Sequence, residues 1–87
     1  MHAVVVRVTI ADRESSETHL REQVVPGVSQ APEFVAGYWT YKDGTGVAMV
    51  VFESDEAANG MSQRVPSMLP DGVTLEEIEV REVVAHA

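Results

Sequence analysis

Near the middle of the chain, an Asp43-Gly44 pair separates two runs that both read as β-strand. Glycine tolerates positive φ, and Asp-Gly is among the strongest short signals for a hairpin turn. Ahead of the pair, Phe34 to Asp43 (FVAGYWTYKD) carries Tyr38, Trp39 and Tyr41 beside Phe34, a composition that favours strand. Behind it, Gly46 to Glu53 (GVAMVVFE) is nearly all apolar, as expected of a strand buried on both faces. The hairpin fixes two adjacent antiparallel strands at the centre of the chain, so the segments on either side must supply the rest of the core.

Those segments repeat one pattern. His2 to Ala11 (HAVVVRVTIA) is rich in β-branched residues and reads as strand. Its even positions Val4, Val6, Val8 and Ile10 are all apolar, whereas the odd positions Ala3, Val5, Arg7 and Thr9 are mixed. Asp12 to Glu17 is polar, with Ser15 or Ser16 expected to cap a helix. Leu20, Val24, Val28 and Ala31 then recur at helical spacing. Pro26 predicts a kink or a second short helix, and Pro32 ends the element. Beyond the hairpin, Ser54 can cap a helix with Asp55 and Glu56 in its first turn. Ala57, Ala58, Met61, Val65 and Met68 form its apolar stripe, and Gly60 and Pro66 predict an irregular second half. After an Asp71-Gly72 turn, Val73 to Ala85 reads as a last strand with Ile78, Val80 and Val84 on one face.

The order is therefore β-α-β-β-α-β in a single α+β domain spanning residues 1–87. This is the split βαβ, ferredoxin-like arrangement. Right-handed crossovers put the first and third strands at the centre of an antiparallel sheet, with both helices on one face. The other face would carry Val5, about half of the 47–52 strand and part of the aromatic strand. A patch of that kind usually marks an interaction surface. The Phe34–Tyr41 edge has no proline or inward charge to discourage pairing. A homodimer answers both features.

Composition narrows the partners. With 87 residues and no cysteine, disulfides and thiolate metal sites are excluded, and self-association is the remaining way to strengthen a small core. Fourteen acidic residues against 6 basic ones give a net charge of −8, which argues against a nucleic-acid partner. The longest strongly apolar run, Ala3 to Val6, is too short to span a bilayer. No basic-then-apolar leader opens the chain. The expectation is a soluble cytoplasmic protein with no membrane partner.

Three stretches carry a family resemblance. Ala31-Pro32-Glu33-Phe34-Val35-Ala36-Gly37-Tyr38-Trp39, then Asp43-Gly44, then Val50-Val51-Phe52-Glu53-Ser54-Asp55-Glu56-Ala57-Ala58 resemble the dimeric α+β-barrel superfamily, and within it the small antibiotic-biosynthesis-monooxygenase-like proteins. The resemblance runs the length of the chain in order, and its motifs position elements rather than chemistry. It implies two sheets facing each other as a dimeric α+β barrel, with a pocket in each protomer. It also implies cofactor-free oxygenase-like handling of a small aromatic or apolar molecule, with a non-catalytic ligand-binding or structural dimer as the alternative. Haem-degrading members depend on an Asn, a Trp and a His. Here the only Asn is Asn59, in the second helix, and Trp39 lies on strand two rather than three, so no residue of that set carries over and no cofactor is implied. Glu33 departs from the pattern, since relatives often carry Gly before the Phe, and this suggests a different helix-to-strand turn.

The candidate ligand-binding residues are Arg7, Tyr38, Trp39 and Tyr41. Arg7 could hold a carboxylate or phenolate beside apolar walls, or pair with Glu77 or Glu79 on the last strand. Tyr38 points opposite to Trp39 and Tyr41, and these aromatics could stack on a flat ligand or fill an interface. His2 and His86 could meet at neighbouring strand ends, whereas His19 is read as exposed. Alternation splits Glu76, Glu77, Glu79 and Glu82 over both faces of an edge strand, which reads as a solvated edge. No metal site is indicated.

Overall fold

A computed structural model describes all residues, Met1 to Ala87. Four strands, β1 (His2–Ile10), β2 (Phe34–Lys42), β3 (Thr45–Phe52) and β4 (Val73–Glu82), form one antiparallel sheet in the order β2-β3-β1-β4. The helical elements are α1 (Arg13–His19), a π-helical segment (Leu20–Val24), α2 (Val25–Ser29) and α3 (Asp55–Met68). The architecture is α+β and compatible with the ferredoxin-like arrangement. No helix is long and apolar enough to cross a membrane.

The even residues of β1 face the helices. Val4 and Val6 join Val50 and Phe52 of β3, Val28 of α2, and Ala58 and Met61 of α3 in one buried cluster. The Phe34 and Phe52 rings meet edge to face, with centroids 6.2 Å apart, a favoured geometry for aromatic pairs. Both predicted helical stripes pack against this cluster. Val24, Ala31, Ala57, Val65 and Met68 cover it from outside.

The first helix begins earlier than the capping reading placed it. Asp12, in extended conformation, is the N-cap and accepts the Ser15 N–H through Oδ1 at 3.3 Å. Ser15 and Ser16 therefore lie inside α1. Pro26 has the expected effect in a specific form. It has no N–H to offer the Glu22 carbonyl, and its ring crowds that turn. The helix widens just ahead of it, where the Val25 N–H reaches back five residues to the Leu20 carbonyl, and α2 then starts with Pro26 in its first turn. On α3, Ser54 caps as expected, its Oγ accepting the Ala57 N–H at 3.1 Å. The irregular second half predicted for this helix is not found. Burial of Ala58 and Met61 holds it regular past Gly60, and Pro66 falls in its last turn.

The last strand differs from expectation in two ways. It ends at Glu82, and Val84 lies beyond the sheet, 90% exposed, rather than on the face of Ile78 and Val80. It also carries a bulge: Arg7 pairs with Glu77, but the next residue, Val8, pairs with Leu75. One extra residue lets Leu75 and Ile78 both reach the core. The bulge also undoes the predicted alternation of the glutamates. Thr9, on the odd side of β1, donates to Glu76 at 3.0 Å, and Arg7, on the same side, pairs with Glu77 at 3.0 Å.

Two non-glycine residues adopt positive φ, Glu33 (66°) and Asp43 (50°). Asp43 and Gly44 make the β2–β3 hairpin. Glu33 stands where the resemblance led us to expect glycine, and it takes the left-handed conformation that glycine adopts at least cost. Its carbonyl accepts the Glu53 N–H at 3.0 Å, tying the start of β2 to the end of β3.

Candidate functional site

The sheet separates the four candidate ligand residues. Register runs Tyr38–Met49–Val5–Glu79 across the sheet, and beside it Thr40–Val47–Arg7–Glu77. These rows belong to the face without helices. There Tyr38 is 67% exposed, and Val47 and Met49 are exposed as well. The neighbouring rows, Trp39–Ala48–Val6–Ile78 and Tyr41–Gly46–Val8–Leu75, lie under the helices. Trp39 and Tyr41 therefore sit on one side of the sheet, and Arg7 and Tyr38 on the other, so the four do not form one site in this chain. Arg7 is engaged by Glu77, with both side chains more than half exposed, which is the ion-pair alternative considered for it.

Between sheet and helices lies an inner cleft of about 100 Å³. Its floor is Val4, Val6, Val8 and Ala48, and its roof is Leu20, Val24 and Val28 on one side with Met61, Val65 and Met68 on the other. One glycine keeps the space open, and a second makes room for the Trp39 ring. At Gly46 a Cβ would come within 2.9 Å of Val8 Cγ2 and 3.0 Å of Ile10 Cδ1. At Gly37 it would meet the Trp39 ring at 2.8 Å, because the indole lies back over that position. A cleft of this size suits a few carbon atoms. Water fills liquid at about 30 Å³ per molecule, and an apolar cavity of about 150 Å³ admits benzene.

Polar groups on the cleft wall are few. Ser16 is buried there, whereas the Thr40 hydroxyl lies on the open face and donates to the Val47 carbonyl at 2.6 Å. His19, expected to be exposed, is half-buried instead. Its Nε2–H donates to the Met68 carbonyl at 3.0 Å, clasping the end of α1 to the end of α3. That bond places the neutral ring's lone pair on Nδ1. His19 is the one imidazole on this wall.

Next to the cleft an outer groove of about 310 Å³ runs along α1 past Trp39 and Tyr41. Its rim is charged. Glu17 accepts from Arg13 Nε at one carboxylate oxygen and from Arg21 Nη2 at the other, the latter at 3.2 Å. The Arg13 guanidinium also lies 4.3 Å above the Tyr41 ring, within cation–π range. The hydrogen bond from Arg13 holds the Glu17 carboxyl below the usual carboxylate range, and the charges of Arg13 and Arg21 add to it against partial burial. The reciprocal bond raises Arg13. Reading residues 12–17 only as a polar helix start missed this rim. The signal was present, since Arg13, Glu17 and Arg21 are spaced by four and so share one helix face.

His2 Nδ1 is buried without a hydrogen-bond partner, His86 is exposed beyond β4, and no three His, Asp or Glu side chains cluster as metal ligands. No protein-family model matches the chain, and no curated protein matches it.

Proposed function

We propose that the protein binds a small, largely apolar molecule in the cleft between sheet and helices, and works as a homodimer paired through its open sheet face. The observation that carries the binding reading is the cleft itself: aliphatic walls, Trp39 at its side, and glycine at position 46 where a side chain would intrude. Ligand pockets are typically apolar hollows with a few placed polar groups. The dimer reading rests on the rows Tyr38–Met49–Val5 and Thr40–Val47, which leave large apolar side chains wet on a face no helix covers. Two such faces packed together would form the dimeric α+β barrel that the sequence resemblance implies.

Trp39 is the only tryptophan, so its emission reports on the cleft. Titration with 1-hexanol is expected to shift that emission saturably and to raise the melting temperature by mass action. Ala48→Leu, which fills the floor, is expected to remove both effects while far-UV circular dichroism stays unchanged. Absence of saturable binding by the wild type sinks the binding reading. Light scattering at micromolar concentration that shows a folded monomer sinks the dimer.

A catalytic reading, cofactor-free oxygenase-like chemistry on a small aromatic substrate, has one observation behind it: a base beside the cleft, His19. Oxygen uptake with hydroquinone-type substrates that His19→Gln abolishes would establish it. Uptake indifferent to that substitution would remove His19 from the mechanism.

A further inference from the structure

The inner cleft and the outer groove adjoin, with Ile10, Ser16, Leu20, Trp39 and Thr40 walling both. The inner end is aliphatic and the outer end is the Arg13–Glu17–Arg21 rim. In a chain of net charge −8, two guanidiniums share one carboxylate there, which leaves one positive charge unmatched at the rim. Each guanidinium has five N–H donors and gives one to Glu17. The two side chains are 62% and 74% exposed, so the remaining donors are open to a ligand. Tyr41 holds the Arg13 head over the groove.

We infer that cleft and groove together take an amphiphilic monocarboxylate, its short apolar tail in the inner cleft and its carboxylate on Arg13 and Arg21. The inference rests on the apolar-cleft reading above and specifies the other end of the ligand. One unmatched positive charge suits a monoanion better than a dianion. The planar fork of arginine matches a carboxylate with two parallel hydrogen bonds. In the unliganded chain Glu17 takes one donor from each guanidinium, so a carboxylate on the remaining donors competes with Glu17 for the charge of the same two cations.

The experiment compares hexanoate with 1-hexanol, which share tail length and differ in head group, by Trp39 emission and calorimetry. At low salt, hexanoate is expected to bind about fivefold more tightly than hexanol, the scale of an exposed ion pair. The preference shrinks in 1 M salt, where the screening length is about 3 Å. The double substitution Arg13→Gln and Arg21→Gln removes the preference and leaves hexanol affinity unchanged. Glu17→Gln strengthens hexanoate binding, because the internal competitor is gone. Equal affinities in the wild type, or a preference that survives loss of both arginines, overturn the carboxylate rim and leave the apolar cleft standing. Unchanged or weaker hexanoate binding by Glu17→Gln overturns the competition. Failure of both probes to bind overturns the cleft reading and this inference together.

Discussion

Val4 and Val5 are adjacent in β1 and identical in chemistry, yet one is fully buried and the other is not. The same contrast holds in β3, where Phe52 is 1% exposed and Met49 is 45% exposed. The pleat sends neighbours to opposite faces, and two helical layers are available for only one of them. Hydropathy marked both faces as places to bury. Only the connectivity decided which received cover within the chain. The covered face gained a core and a cleft, whereas the open face kept an apolar field of Tyr38, Met49, Val47 and Val5 edged by the Arg7–Glu77 and Arg81–Glu79 pairs.

The largest test of this contrast sets Phe52 against Met49. Phe52→Ala removes a buried ring and its edge-to-face partner contact with Phe34, and is expected to cost about 3–5 kcal/mol in urea unfolding. Met49→Ala is expected to change the stability of the isolated chain by less than about 0.5 kcal/mol. If the open faces pair as proposed, Met49→Lys is expected to shift sedimentation from dimer to monomer. Equal costs at the two positions in dilute solution would erase the distinction between the faces.

A second test works within the covered face. Gly37→Ala drives a methyl group into the Trp39 ring. Overpacking of this kind costs about 1–3 kcal/mol, and the indole must swing, so a shift in emission should accompany the loss. Val35→Ala, on the same strand at an exposed position, is expected to stay within about 0.5 kcal/mol with emission unchanged.

Much of this division was legible in the residues. The even-odd asymmetry of His2 to Ala11 named the buried face of β1, and the two helical stripes named what covers it. Asp43-Gly44 placed the hairpin. The β4 bulge escaped, because strict alternation has no way to signal an extra residue. It is visible only when Leu75 and Ile78, three apart, both find the core. The site was less legible than the fold. Trp39 and Tyr41 were assigned correctly to one side, but Arg7, which the asymmetry of β1 put on the mixed face, was grouped with them because nothing in the aromatic strand said which of its sides meets the helices. The face shared by Arg13, Glu17 and Arg21 was hidden by an N-cap placed three or four residues too late, at Ser15 or Ser16, which left Arg13 outside the helix.

Glu33 offers a smaller test, at the residue that launches the strand bearing both Trp39 and Tyr38. An L-residue in the left-handed region costs about 1–2 kcal/mol. Glycine relieves this cost but gives back roughly 0.5–1 kcal/mol in unfolded-chain entropy. Glu33→Gly is therefore expected to stabilise the fold by about 0.5 kcal/mol in urea titration, with the Glu53 N–H bond to its carbonyl retained. A loss of stability would mean that the Glu33 side chain contributes something its exposed position does not reveal.

The weakest expected effect concerns the charged rim of the covered side. The Glu17 carboxyl sits below the usual carboxylate range in the folded chain, first because it accepts the Arg13 hydrogen bond. A depressed folded value means that the unfolded chain takes up the proton first as pH falls. The stability contributed by Glu17 is thus fully present above the unfolded value, declines as pH drops below it, and is lost once pH has passed through the folded value. Glu17→Gln mimics the protonated state in shape without the charge. The stability gap between wild type and this variant should be open at neutral pH and close on acidification through that window. Raised salt should narrow it, since the rim is exposed. A gap that persists in acid would mean that the stability Glu17 contributes does not come from its charge on Arg13 and Arg21.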